Sequence, residues 1–238
     1  NTLLWYSSDN GTPIPRRRDP HDGGFRGNKG SLYEGGLRVP GIVEWPAVVR
    51  RHRVSNVPCV SSDIFPTLLD LLGLQSPDPQ RPIDGLSLKR LIVDDTMQER
   101  PRPIGFWKYA AGTERKNERW MDPELTRGTT PTTRNPAIDF LNFQHPVAKT
   151  RDFGGEAAWT TARYKLHTND QKGKTEIELY DLTADPGEET NIASRHPDLV
   201  ATMTAALHAW QRSVERSLSG ADYGKVRNSN IEIRNKSQ

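Results

Sequence analysis

A short apolar run, Leu3-Leu4-Trp5-Tyr6, stops abruptly at Ser8-Asp9-Asn10-Gly11. Nearly continuous apolar character over Thr2 to Ser7 predicts a strand covered on both faces, as in a parallel sheet. In open α/β sheets the carboxyl ends of strands are where ligands bind. Asp9 and Asn10 place two hard oxygen donors side by side at such an end, which suits Ca²⁺ or Mg²⁺ better than a soft metal. Taken alone, Asp-Asn-Gly is more often a tight turn. The next motif tilts the reading toward chemistry. Lys29 stands in the glycine-flanked loop Gly27-Asn28-Lys29-Gly30, where its ammonium can serve as a point charge for a tetrahedral oxyanion. A cation site beside an anion-binding lysine is half of an active site.

Further along, Gly11 to Gly36 is punctuated by glycine and proline and reads as loop. Leu37 to Trp45 reads as a strand interrupted by Pro40-Gly41, hence bent or at an edge. Ser61 or Ser62 should cap a helix through Leu72, with Ile64, Phe65, Leu68, Leu69 and Leu72 on one apolar face and Gly73 as its stop. Leu86 to Ile92 reads as a short helix, and Ile104 to Tyr109 as a strand opening a second unit. The stretch 110–158 reads as a long polar loop, of the kind that is usually functional or disordered. Arg163 to Thr168 and Ile177 to Asp181 predict a hairpin across a turn from Asn169 to Lys174. Leu199, Met203, Leu207, Trp210 and Val214 recur at helical spacing and predict a core-facing helix over 197–218. The organisation expected is a large-domain portion over 1–103 and a C-terminal subdomain over 104–238.

Several segments together resemble the sulfatase family, arylsulfatase-type enzymes of the alkaline-phosphatase-like superfamily. Ser8-Asp9-Asn10-Gly11 is similar to its second metal-binding segment, and Gly27 to Pro40, through Tyr33-Glu34-Gly35-Gly36-Leu37-Arg38-Val39, to its lysine loop. Ser61-Ser62-Asp63-Ile64-Phe65-Pro66-Thr67 and Ile83-Asp84-Gly85-Leu86-Ser87-Leu88 follow in the family's order. Arg163-Tyr164-Lys165-Leu166, Glu178-Leu179-Tyr180-Asp181-Leu182 and Asp185-Pro186-Gly187-Glu188-Glu189 resemble its C-terminal hairpin region. The fold this implies is α/β: part of an alkaline-phosphatase-like sheet-and-helix domain, plus a smaller antiparallel sheet with a packed helix. The activity implied is sulfate-ester hydrolysis. Asp9 and Asn10 would bind Ca²⁺, or Mg²⁺, and Lys29 would contact sulfate and the leaving group. Glu34 and Arg38, in the same motif, read as structural hydrogen-bonding or ion-pairing residues.

The family's nucleophile is a formylglycine made from a Cys-x-Pro-x-Arg or Ser-x-Pro-x-Arg segment. The single cysteine, Cys59, is followed by Val60-Ser61-Ser62 and does not fit, nor does any serine. The expectation is therefore a carboxyl-terminal portion of a sulfatase, inactive alone, whose partners are a missing amino-terminal half and a sulfated small molecule or sulfated saccharide. His21, Trp107 and His145 are candidate substrate residues. Export to a periplasmic, secreted or lysosomal location follows only from the resemblance. A phosphodiesterase or phosphonate hydrolase of the same superfamily, or a noncatalytic glycan-binding remnant, are the alternative readings.

Composition bounds the remaining classes. A net charge of +3, from 33 basic and 30 acidic residues, does not indicate nucleic acid. Arg16-Arg17-Arg18 reads as a solvated loop among Pro13, Pro15 and Pro20. No run approaches the ~20 apolar residues of a membrane helix. One cysteine excludes a disulfide within the chain, and Cys59 reads as a buried small hydrophobe in a strand-like stretch. A hydrophobic share of 34%, against a usual share of about 45–50% counted with glycine, fits long polar loops or a core completed from elsewhere.

Overall fold

The computed structural model describes residues 1–13, 23–76, 78–109, 153–171, 174–218 and 222. In chain order the elements are β1 (Leu4–Ser7), α1 (Glu34–Leu37), β2 (Gly41–Glu44), a 3-10 turn (Ser61–Asp63) running into α2 (Ile64–Leu72), α3 (Lys89–Ile92), β3 (Ile104–Tyr109), β4 (Gly155–Thr160), β5 (Tyr164–Gln171), β6 (Lys174–Asp181), a second 3-10 turn (Ala193–Arg195) and α4 (Pro197–Leu218). The architecture is mixed α/β, with a two-stranded sheet β1-β2 and a four-stranded sheet β3-β4-β5-β6, both antiparallel.

β1 is not the buried parallel strand that its composition suggests. It pairs antiparallel with β2, Trp5 opposite Val43 and Tyr6 opposite Ile42. Strand alternation sends Trp5 and Val43 toward a small core of Leu86, Leu88, Ile92 and Met97. Leu4, Tyr6 and Ile42 on the other face are more than half exposed. The bent strand expected over Leu37 to Trp45 is split, because Leu37 closes the one-turn helix α1 and the ladder starts only after Pro40.

α2 ends as expected at Gly73, in the left-handed region at φ +65°. Its apolar face is less covered than expected: Phe65, Leu68 and Leu72 are exposed. The residues before it form no strand. Val54 and Cys59 are both exposed, so the buried role expected of Cys59 is corrected. The N-cap position of α2 is Asp63 rather than a serine, and its side chain makes no cap bond to the helix. Asp63 is fully buried, accepts the Val60 and Leu86 N–H groups at 2.9 Å each, and takes a bidentate pair from the equally buried Arg100 at 2.7 and 2.9 Å. Thr67 one turn on donates to the Asp63 carbonyl at 2.6 Å and accepts the Leu88 N–H at 2.9 Å. Asp63 at the end of the 3-10 turn and Thr67 on α2 thus strap the Asp84-Gly85-Leu86-Ser87-Leu88 segment in place.

In the C-terminal region β4 occupies the end of the stretch read as polar loop. Its Ala157 and Ala158 are completely buried, and alanine's poor strand propensity hides such a strand from a sequence reading. The hairpin is longer than expected, with Gln171 paired to Lys174. α4 lays Met203 and Leu207 against Ala157, Leu166 and Leu179. Trp210 lies over Gly105, where a Cβ would come within 2.6 Å of the indole, and its Nε1 donates to Asp84 at 2.9 Å. Among the described residues no helix is long and apolar enough to cross a membrane.

Replacing one partner of a buried bidentate pair leaves the other charge uncompensated, a loss of about 3–5 kcal/mol. Urea denaturation of an Arg100→Met variant should show a loss in that range. A change under ~1 kcal/mol would mean that Asp63 is held by its backbone donors alone.

Candidate anion and metal site

The two motif loops, separate in sequence, meet through their backbones. Lys29 N–H donates to the Thr12 carbonyl at 2.8 Å, and Gly11 N–H to the Gly36 carbonyl at 3.0 Å. This contact is possible because three buried glycines line it. A Cβ on Gly11 would lie 1.9 Å from the Gly35 carbonyl oxygen, and one on Gly36 would lie 2.2 Å from that of Ser31. The turn that carries Asp9 and Asn10 is therefore joined through Gly11 and Thr12 to the lysine loop.

Asp9 is exposed and Asn10 half-buried, both just past the end of β1. The Asn10 amide is oriented, since Nδ2 donates to the Gly11 carbonyl at 2.9 Å, which leaves Oδ1 as the available acceptor. Ser8 Oγ donates to the Asn10 carbonyl at 2.9 Å and tightens the same turn. One carboxylate and one amide oxygen fit a hard divalent cation in kind, but they fall short in number of the usual six to eight ligands of Ca²⁺. Among the described residues no group of three or more His, Cys, Asp or Glu side chains could hold a metal ion. Lys29 is exposed. Trp107 is half-buried against the sheet–helix core, with Nε1 donating to the Gly154 carbonyl at 3.0 Å. His21 and His145 lie outside the described residues.

What sequence reasoning missed is how the lysine loop is held. One face of the four-stranded sheet carries the apolar residues that meet α4, and the other carries a row of charges that meets the loop. Lys165 is wholly buried there, with Glu34 at 3.0 Å and Glu188 at 2.9 Å. Glu188 also accepts the Glu34 N–H at 2.6 Å. Glu34 is thus the structural ion-pairing residue that the motif suggests, whereas Arg38 stacks its guanidinium 4.7 Å from the centre of the Phe25 ring. Beside this triad, Tyr33 Oη donates to Glu178 at 2.5 Å, its ring stacks on His167 at 4.3 Å, and Arg26 covers its other face at 3.9 Å. Arg26 also reaches Tyr180 Oη at 2.5 Å and Glu178 at 3.4 Å. His167 lies between Glu156, 3.0 Å from Nε2, and Glu178, 3.4 Å from Nδ1.

The two acids of this seam are shifted in opposite directions, although burial acts upward on both. It pushes the Glu188 carboxyl up, with Lys165 only partly opposing it. Burial also acts upward on Glu178, but hydrogen bonds from Tyr33 and Tyr180 and the Arg26 charge outweigh it, so Glu178 is held below its ordinary value. Both phenols are pushed well up, Tyr33 by burial and its bond to Glu178, Tyr180 by burial and the Glu178 charge.

Residues 1–74 match the family model described as Sulfatase. The steryl-sulfatase of Rattus norvegicus is 37% identical over 228 residues, an alignment covering 91% of this chain and 37% of the relative. A solved structure from the glycosaminoglycan metabolism of Bacteroides thetaiotaomicron is similar at a TM-score of 0.59 with 23% identity, covering 89% of this chain and 39% of that one. Another, solved in complex with its substrate D-glucosamine-2-N,6-O-disulfate, gives a TM-score of 0.53 with 19% identity over 89% of this chain and 34% of that one. The fold shared with these structures is the alkaline-phosphatase-like one. The chain spans about a third of the length of the curated relatives it matches.

Tyr33→Phe removes one donor to Glu178. Because the folded carboxyl titrates below its ordinary 4.5, its contribution is complete above that pH and disappears as the pH falls through the lower folded value. The stability gap between the parent and Tyr33→Phe should be about 1 kcal/mol near neutral pH and should close in acid. Urea midpoints taken across the acid range check this, and a gap that does not narrow would remove Glu178 as the group responsible.

Proposed function

Starting from a chain that belongs to the sulfatase family, we propose that these residues supply the metal-ligand turn and the sulfate-binding lysine of a sulfuric-ester hydrolase. The observation that carries the reading is the backbone bond from Lys29 N–H to the Thr12 carbonyl at 2.8 Å, which sets an ammonium-bearing loop against the Asp9-Asn10 turn. A divalent cation, Ca²⁺ or Mg²⁺, would be held by Asp9 and Asn10 together with carboxylates from polypeptide outside these residues, and when bound it polarises sulfate oxygens. Lys29 would donate to a sulfate oxygen and offset the charge that builds on the departing oxygen. Asn10 would present Oδ1 to the cation because its Nδ2 is tied to the Gly11 carbonyl. The nucleophile, a formylglycine, would likewise come from outside this chain.

The substrate class proposed is a sulfated saccharide or another sulfated small molecule. The alcohols named among the relatives differ, a sterol in one and an amino sugar in another. Such a spread fits a site whose fixed partner is the sulfate, with the alcohol read by other parts of the protein.

Two measurements test the proposal. The purified 238-residue chain should bind Ca²⁺ weakly and should not turn over a chromogenic aryl sulfate. In the complete enzyme, Lys29→Ala should lower kcat by about 10²-fold or more, the scale for losing one donor to developing charge. Turnover by the chain alone, or a Lys29→Ala enzyme of undiminished kcat, would overturn it.

A further inference from the structure

Lys108 and Glu156 are cross-strand partners on β3 and β4. Their side chains leave the polar face of the sheet and hold the lysine loop just beyond Lys29. Lys108 Nζ donates to the Gly30 carbonyl at 2.9 Å, Glu156 Oε1 accepts the Leu32 N–H at 3.0 Å, and the two charged groups are 3.9 Å apart. His167 Nε2 lies 3.0 Å from the same Glu156 oxygen, with Glu178 on its other nitrogen, so the carboxylate is itself oriented.

The loop needs this hold. Gly27 and Gly30 flank Lys29 in the left-handed region, at φ +80° and +92°. A Cβ on Gly30 would meet nothing within 4 Å, so packing around that position does not fix it, and the local turn rests on the Ser31 N–H bond to the Asn28 carbonyl at 2.9 Å. Glycine there leaves the backbone free to take several conformations. On one side Lys29 is tied to the metal-ligand turn through Thr12, and on the other its loop is tied to the sheet through Gly30 and Leu32.

We propose that Lys108 and Glu156 form a clamp that positions Lys29, fixing the reach of its ammonium relative to the Asp9-Asn10 turn. The proposal rests on the reading that Lys29 contacts sulfate. Neither residue touches the reacting atoms in this assignment, and both act through the loop. Lys108 is 63% exposed, and exposed ion pairs add little to stability, so its replacement should leave the fold intact.

The test is a double-mutant cycle in the complete enzyme, with a parallel measurement on the 238-residue chain. Lys108→Met should lower kcat by about 10-fold or more while KM moves less than about 3-fold, the pattern of a misplaced transition-state contact. Lys108→Arg, which keeps a charged donor, should recover most of that loss. In a Lys29→Ala background Lys108→Met should cost nothing further, since there is no ammonium left to position. Losses that simply add, or an undiminished Lys108→Met enzyme beside an impaired Lys29→Ala one, would overturn the clamp while leaving the sulfate contact standing. An unimpaired Lys29→Ala enzyme would remove the sulfate-contact reading, and with it the role given to the clamp. On the chain itself, Glu156→Ala should speed hydrogen exchange at the Leu32 amide by about 10-fold or more. Unchanged protection there would overturn the clamp irrespective of activity.

Discussion

Everything near the candidate site hangs on how a glycine-rich loop is docked to a sheet. Such a loop can approach other backbone closely, as Gly11, Gly35 and Gly36 do, and it buries Leu32, but its glycines offer little further apolar surface. Much of the attachment therefore comes from hydrogen bonds and charge. The sheet meets this with Lys165, completely buried between Glu34 and Glu188, and with the Arg26, Tyr33, Glu178 and His167 cluster beside it. Burying charge is costly unless each group is compensated. Here the Lys165 ammonium meets two carboxylates, and Glu188 also accepts a backbone N–H. The gain is geometric definition: a charged seam has one register, where an apolar one could slide.

This seam explains the division of labour in the four-stranded sheet. Leu166 and Leu179 face α4, while Lys165, His167, Glu178 and Tyr180 face the loop. Alternation along β5 and β6 would ordinarily mean one dry face and one wet face. Here the second face is neither, because it is polar and largely covered. The covering passes from the C-terminal sheet to the loop that carries Lys29, so residues far apart in sequence determine where that ammonium stands.

Much of the fold was legible because its signals are local. The stripe on α4, the glycine stop after α2 and the β5–β6 hairpin each follow from spacing within one segment. The errors have physical causes. β1 contains only apolar and aromatic residues near its centre, which reads as doubly buried, yet one of its faces is bare. β4 was hidden by two alanines and by the polar run before it. Glu34 was legible as an ion-pairing residue but its partners were not, since Lys165 and Glu34 are 131 residues apart and a charged residue in an alternating strand looks like a solvated one. The only available hint was Glu34 itself, a lone acid among glycines that needs a partner.

The exposed large hydrophobic residues among the described ones all fall between Leu4 and Leu74, on the β1–β2 ribbon, on α2 and in the segments around them. Two-stranded ribbons are marginal by themselves, and a bare apolar row on one is a site for self-association. Handled alone in solution, the 238-residue chain should therefore lose material on heating by a route that is second order in protein. Its apparent melting temperature would then fall as concentration rises, an effect visible in a dilution series, and a concentration-independent midpoint would show that the row is harmless. The same row, Leu4, Tyr6 and Ile42, would make solubility rather than folding the first obstacle to purifying this chain.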